Sequence, residues 1–289
     1  MIGAQGHEPA MLASRDLASG KGHRDENFPV ASLILRPAVR APVMAFYRFA
    51  RAADDVADHP DATAQEKLAL LATMHATLDG RSDADPAALA LRRGLAGTGV
   101  PLDHAHDLLR AFERDCVTPR TRDWDDLIDY CRLSAMPVGR FMLDVHGEAR
   151  TLWAQSDALC AALQVINHLQ DCGRDRAALD RVYLPDDLMA AHGARIEDLD
   201  APTASPSLRA VIVALARRCD VLLDQASGFA GAIRDRRLGA EVAAMLALAR
   251  DLVRLLSTRD PLAQRVHHRK PTAARIALFA AGRHLVLGR

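Results

Sequence analysis

Apolar residues recur at three- and four-residue spacing through most of this chain, and β-branched runs of period two are nearly absent. That rhythm matches the 3.6-residue helical turn, so each segment can bury one stripe only as a helix. It predicts helices over residues 38–58, 65–79, 102–116, 124–149, 156–181, 207–233 and 239–257. The punctuation agrees: Asp79-Gly80, Gly97 to Pro101, Thr118-Pro119 and Ala201 to Pro206 carry turn or loop chemistry. No break is long enough to be an interdomain linker, and there is no tandem repeat or low-complexity tract. The expectation is one all-α domain over residues 1–289, near the upper size for a single core.

Composition narrows the function classes. The chain is 49% hydrophobic and 26% charged, as a folded protein is, with 37 basic and 37 acidic residues. A net charge of zero leaves no overall footprint for nucleic acid, so no such partner is expected. Five scattered cysteines (Cys116, Cys131, Cys160, Cys172, Cys219) form neither a zinc pattern nor a disulfide framework, which fits a reducing compartment. His104-x-His106 and His267-His268 lack companion ligands at zinc spacing and read as solvated histidines. The start of the chain lacks the apolar core of a signal peptide, and no stretch of about 18 apolar residues occurs, so a cytoplasmic protein is expected. No Gly-x-Gly-x-x-Gly follows a strand-like segment, so no Rossmann-type nicotinamide site is expected.

Two acidic stripes carry the chemistry. Tyr47, Arg51, Asp54 and Asp58 follow one another at spacings of four, three and four, and so share one helix face, with Asp55 beside it. Gln164, Asn167, Asp171 and Asp175 follow at three, four and four on a helix whose other faces carry Leu163, Val165, Ile166 and Leu169. Carboxylates one turn apart repel. The first set also falls in the last turn before His59-Pro60, against the negative end of the helix dipole. A hard divalent cation reverses both penalties, and Mg2+ is commonly held by one or two carboxylates together with substrate phosphates. Arg51 is placed to pair with a phosphate oxygen. A single Asp-x-x-x-Asp is ordinarily a solvated acidic helix end, here neutralised by Arg48, Arg51 and Arg174. Two such stripes on otherwise apolar helices favour a metal–diphosphate site.

At these residues the sequence resembles the squalene/phytoene synthase family of head-to-head prenyl transferases. The matching blocks are Tyr47 to Asp58, Tyr130 with Val138-Gly139-Arg140, Gln164 to Asp175, and Arg181-Val182-Tyr183-Leu184-Pro185. The resemblance implies an isoprenoid synthase fold, a helical bundle around a deep central cavity. It further implies Mg2+ held by Asp54 and Asp58 on one wall and by Asn167, Asp171 and Asp175 on the other. Tyr47 and Arg51 would contact the diphosphate, and Tyr130 would line the reaction cavity; Phe28, Val138, Gly139, Gln164 and Tyr183 would bind substrate.

Three features are similar to the branch of that family that makes hydroxysqualene: Glu26 to Ser32, Ser134 to Arg140, and Gln170 just before Asp171. Many members that join two farnesyl diphosphates carry arginine at the position of Gln170, so the expected substrate is presqualene diphosphate, ionised and captured by water. Presqualene diphosphate, squalene or phytoene synthesis is the neighbouring alternative, and a non-catalytic helical assembly protein is the alternative from another class. Phe28, Phe46, Met136, Val138, Phe141 and Met142 are candidate cavity lining or ordinary core. Pro137 removes a donor inside a helical pattern and is expected to kink it, with Gly139 admitting close approach. The basic run Arg265 to Lys270 precedes an apolar helix, Ala273 to Leu287, bearing Arg275, Arg283 and His284. It suits either peripheral contact at the inner membrane face or a last core helix with a solvated basic end.

Overall fold

The computed structural model describes residues 36–287; the expectations placed on Phe28 and on the Glu26 to Ser32 segment lie outside them. Among the described residues the regular elements are helices, and no strand occurs. The fold is all-α, as the apolar period requires.

Helix α1 (Pro37–Ala57) starts on a proline whose missing N–H costs nothing there, and it ends with Asp58 as its cap. Helix α2 (Ala64–Leu78) opens on a reciprocal capping box, Thr63 with Glu66. Helix α3 (Pro86–Leu95), absent from the periodicity reading, carries its own start signal: Asp85 accepts from the Ala88 N–H at 2.8 Å and Pro86 follows. Helix α4 (Asp103–Val117) leads to α5 (Trp124–Ser134), capped by Asp123. One kinked helix was expected across 124–149. Instead the chain breaks at Ala135 and restarts as α6 (Met136–Val145), with Pro137 in the first turn. A proline there loses no hydrogen bond, so a new start is cheaper than a kink.

Helix α7 (Trp153–Leu179) is the long central element and ends at Asp180, a non-glycine residue with φ of 51°. Helix α8 (Asp186–His192) is short. The predicted 207–233 helix divides into α9 (Pro206–Gln225) and the single turn α10 (Phe229–Ala232), parted by Gly228 at φ of 80°. Helices α11 (Arg236–Thr258) and α12 (Lys270–Leu287) complete the order.

Two apolar clusters form around these helices. One gathers α1 to α4 about Phe49, Leu71, Met74, Leu91 and Leu109. The other gathers α7, α9 and α11 about Ile166, Ile212, Leu215 and Leu252. Helix α6 joins them: Phe141 packs in the first, Met136 and Leu143 in the second, and Met142 touches both. Phe46 of α1 stacks on Phe141 at a centroid distance of 3.9 Å, which locks α1 to that bridge. Gly139 gives α6 its close approach to α7, since a Cβ there would meet Ser156 and would lie 2.6 Å from the Cys160 sulfur.

Candidate active site

Residues of α1, α4, α6, α7, α11 and α12 enclose an apolar cavity of about 550 Å³, within the range usual for ligand sites. Phe46, Phe141, Met142, Leu159, Met245 and Leu248 are among its walls. Of the aromatic and aliphatic candidates read from sequence, Phe46, Val138, Phe141 and Met142 line it, whereas Met136 is core. Tyr47, Arg51 and Asp54 enter this cavity from α1. Asp58, one turn further on, lines a second, polar cleft of about 760 Å³ together with Lys67, Asp115, Arg176 and Arg181. The α1 stripe thus runs from an apolar chamber to a charged one.

Asp54, Asp55, Asp58 and Asp171 each have an arginine within ion-pair distance. Arg51 pairs with Asp54 at 2.8 Å and with buried Asp55 at 3.0 Å. Arg174 holds Asp171 at 2.6 Å, and Arg181 holds Asp58 at 2.6 Å. Asp175 lies close enough to Asp171 and Asp58 to feel both charges. Burial first, and those neighbouring carboxylates next, push its carboxyl up to about 7. The acidic groups of α1 and α7 are therefore electrostatically linked, and together they lack positive charge.

Among the described residues, no three or more His, Cys, Asp or Glu side chains are grouped to hold a metal by themselves. The oxygen donors expected from the sequence are a pair of carboxylates on each helix, Asp54 with Asp58 and Asp171 with Asp175, plus Asn167, which is half-buried. Hard oxygen donors in incomplete sets fit Mg2+, which retains waters and takes further ligands from a substrate phosphate. The raised Asp175 carboxyl is the group such a cation would relieve.

The remaining predicted residues occupy distinct places. Val138 and Gly139 line the cavity, and so does Leu163, the neighbour of Gln164. The Gln164 amide meets the His168 ring nitrogen at 3.1 Å. His168 stacks on Tyr183 at 3.7 Å, and burial lowers its imidazole to about 3, so it is neutral. Tyr130 is buried and is not among the cavity-lining residues; its hydroxyl donates to Asp115 at 2.8 Å, while Tyr183 donates to the other oxygen at 3.0 Å. Burial pushes Asp115 up to about 6, against the opposing charge of Arg181 and the two hydroxyl bonds. Gln170 is buried and donates to the Val266 carbonyl at 2.5 Å, tying α7 to the segment before α12.

Two residues without an assigned role in the sequence stand at the centre of the polar end. Arg181 is 7% exposed and also donates to the Ala57 carbonyl at 3.0 Å. It is placed by an isolated bridge between Arg120 and Val182, in which the Val182 N–H donates to the Pro119 carbonyl. Asp115 continues the buried stripe Leu108, Ala111 on α4 at spacings of three and four. A carboxylate at an apolar-stripe position was the signal that could have found it.

The squalene/phytoene synthase family model matches residues 22–272. The chain belongs to this family. A hydroxysqualene synthase of Rhodopseudomonas palustris is 52% identical over 271 residues, covering 94% of this chain and 92% of the relative. One of Zymomonas mobilis is 51% identical over 276 residues, covering 95% and 93%. Among solved structures, the squalene synthase HpnC of Alicyclobacillus acidocaldarius superimposes with a TM-score of 0.70 at 30% identity, covering 83% of this chain and 90% of that one. The isoprenoid synthase bundle expected of a squalene/phytoene synthase is thus the fold observed.

Proposed function

We propose that this family member is a hydroxysqualene synthase, converting presqualene diphosphate and water into hydroxysqualene and diphosphate with Mg2+ as cofactor. The observation that carries the reading is the α1 stripe, with Tyr47, Arg51 and Asp54 at the apolar cavity and Asp58 at the polar cleft. A substrate with two long hydrocarbon arms and one diphosphate needs that pairing of chambers. The two relatives of about 50% identity, both named hydroxysqualene synthase, support the choice of reaction within the family.

Mg2+ held by Asp54 and Asp58 on α1 and by Asn167, Asp171 and Asp175 on α7 would supply Lewis-acid charge to the departing diphosphate. Arg51 exchanges Asp54 for a phosphate oxygen, and Tyr47 contacts the diphosphate from the preceding turn. Arg181, oriented by Asp58 and by Asp115 with its two tyrosines, adds a fixed positive charge where negative charge develops. Tyr130 and Tyr183 act at this polar end through Asp115. Gln164, Val138 and Gly139 contact the substrate beside it. The apolar walls hold the hydrocarbon arms and keep out bulk water, so that the carbocation survives to a defined capture.

The test is incubation of the purified protein with Mg2+ and either presqualene diphosphate or farnesyl diphosphate, without NADPH, followed by identification of the lipid products. Hydroxysqualene from presqualene diphosphate alone is the expected result. Condensation of farnesyl diphosphate would replace this assignment with a two-substrate synthase of the same family. Folded protein that releases diphosphate from neither would point to a non-catalytic assembly protein.

Leu278, Phe279 and Val286 of α12 are exposed at 74%, 74% and 81%, beside exposed Arg275 and Arg283. Ala277, Leu278 and Ala281 also line the cavity. Among the described residues no helix is long and apolar enough to cross a membrane. An apolar strip flanked by arginines next to the substrate chamber suits peripheral contact with an anionic bilayer. Co-sedimentation with anionic vesicles, lost in a Leu278→Asp/Phe279→Asp double variant, is the expected outcome; equal pelleting of both proteins would dismiss the contact.

A further inference from the structure

Capture by water sets two demands that the diphosphate site does not meet. One water must be held beside an apolar chamber, and it must turn a lone pair, not a hydrogen, towards the carbocation. Its seat must therefore be a hydrogen-bond acceptor, which takes one water hydrogen and leaves the water oxygen facing the positive carbon. Cys160, Gln164, Asn167 and Asp171 follow one another on α7 at spacings of four, three and four, and so share one face. Cys160 lines the chamber, as does Leu163 beside Gln164, while Asp171 belongs to the acidic stripe. Gln164 thus stands at the junction, about 6 Å along the helix from Cys160 and about 10 Å from Asp171. A cation left by a departing diphosphate arises at that junction.

Local contacts decide which end of the Gln164 carboxamide faces it. Among the described residues its hydrogen-bond partner is His168, one turn on, whose Nε2 lies 3.1 Å from the Gln164 Nε2. A neutral imidazole nitrogen facing an NH2 group accepts from it, so the carboxamide oxygen is turned away from the ring. Gln164 is partly exposed, and its oxygen is not sealed from solvent. The ring itself is held fast. His168 is 8% exposed, stacks on Tyr183 with centroids 3.7 Å apart, and has the Tyr130 ring at 5.9 Å. Both tyrosine hydroxyls are fixed on Asp115. The buried Tyr130–Asp115–Tyr183 group is thereby a clamp for the imidazole, and the imidazole is a clamp for the carboxamide. The hydroxyls in the chamber wall are engaged elsewhere: Ser134 donates to the Tyr130 carbonyl at 3.0 Å, and Ser156 lies at the close crossing over Gly139.

We propose that the Gln164 carboxamide oxygen seats the capturing water and that His168 is the positioning residue that aims it. The inference rests on the hydroxysqualene reading above. The C–O bond to the diphosphate breaks and its electron pair leaves with the diphosphate. After rearrangement, a lone pair of the seated water forms the new C–O bond. The proton shed by the resulting oxonium passes to an oxygen of the released diphosphate, the base that the first step generates. The Gln164 carbonyl also points the negative end of its dipole at the cation, which favours capture over loss of a proton from the hydrocarbon.

The experiment gives presqualene diphosphate and Mg2+ to wild type, Gln164→Leu, Gln164→Met, Gln164→Glu, His168→Phe and Ser134→Ala. It counts hydroxysqualene formed per diphosphate released, with circular dichroism to establish folding. Gln164→Leu and Gln164→Met keep the bulk and remove the acceptor. Their alcohol yield per diphosphate is expected to fall at least about tenfold, with hydrocarbons formed by proton loss in its place. Gln164→Glu, which restores an acceptor oxygen, is expected to recover part of the yield. His168→Phe keeps a ring against Tyr183 but lets the carboxamide turn, and its yield is expected to lie between wild type and Gln164→Leu. A purely structural role would lower release and alcohol together and leave the yield per diphosphate unchanged, which would overturn the proposal. So would a yield lost only in Ser134→Ala, which would move the seat to that hydroxyl. An unchanged yield from folded His168→Phe would remove the aiming role. Wild-type protein that forms no hydroxysqualene from presqualene diphosphate would instead remove the reading on which the role of Gln164 rests.

Discussion

Asp58 caps α1 and takes the Arg181 guanidinium at 2.6 Å, while the same arginine lies beside Asp115 at the buried end of α4. Helix dipole and carboxylate crowding both oppose an aspartate in that place, and a mobile side chain would drift away from it. The backbone hydrogen bonds that hold residues 182–187 to 119–122 supply the rigidity. Arg181→Met is therefore expected to cost about 1–3 kcal/mol in denaturant unfolding by leaving Asp58 and Asp115 short of a partner, and to lower turnover more than it lowers stability. Asp54→Asn and Asp171→Asn, whose carboxylates are only partly buried, are expected to abolish turnover while the unfolding free energy changes by less than about 0.5 kcal/mol. Wild-type rates in both would refute the metal assignment. The pairing Arg51–Asp54 and the run of acidic positions were readable from spacing alone. The Arg181–Asp58 contact joins residues 123 apart, and no local period reports such a distance.

At the scale of elements, two helix contacts make separable predictions. Helices α2 and α4 are clasped by His75 and His106, whose Nδ1 atoms are 2.7 Å apart and whose rings stack at 5.0 Å. Burial first, and the adjacent His106 next, lower His75 to about 4. Its folded value thus lies below the 6.5 of the open chain, so the unfolded state takes up the proton first. Stability from the clasp is complete above pH 6.5 and is lost as pH falls from 6.5 towards 4. His75→Gln should flatten the pH dependence of Tm between pH 7.5 and 5 relative to wild type; parallel curves would rule out this origin. The crossing of α6 and α7 depends on Gly139. Gly139→Ala must displace Ser156 and Cys160, and is expected to cost about 1–3 kcal/mol in chemical denaturation. The break at Ala135 illustrates the limit of pattern reading: residues 124–149 have one helical rhythm, yet Pro137 serves as a first-turn residue, because restarting a helix there sacrifices no hydrogen bond. For α3 the missed signal was present as Asp85-Pro86, a cap followed by an N-terminal proline.

For the molecule as a whole, the proposed Mg2+ site divides its carboxylates between α1 and α7, and among the described residues no group of three or more closes a cage, so the proposal requires cation and diphosphate to bind together. Mg2+ alone is expected to move Tm by less than about 1 °C. Mg2+ with inorganic diphosphate at a hundredfold excess over its Kd should add about 5 °C, from ~2.7 kcal/mol of linkage at roughly 2 °C per kcal/mol. A full shift with Mg2+ alone in differential scanning calorimetry would mean that the protein closes the site without a phosphate.

The sequence by itself determined the helical class, most helix positions, the two acidic stripes and the family. These depend on periods of three and four residues and on contiguous motifs, which are local properties of the chain. Tertiary structure alone decided that Asp54 faces an apolar chamber while Asp58 faces a charged one, that Tyr130 gives its hydroxyl to Asp115, and that Arg181 closes the polar end. It also decided that the face of α11 carrying Met245 and Leu248 turns inward to the chamber. Which stripe meets which partner depends on packing between helices far apart in the chain. The free energy of that packing belongs to the assembled bundle, and no single helix encodes it.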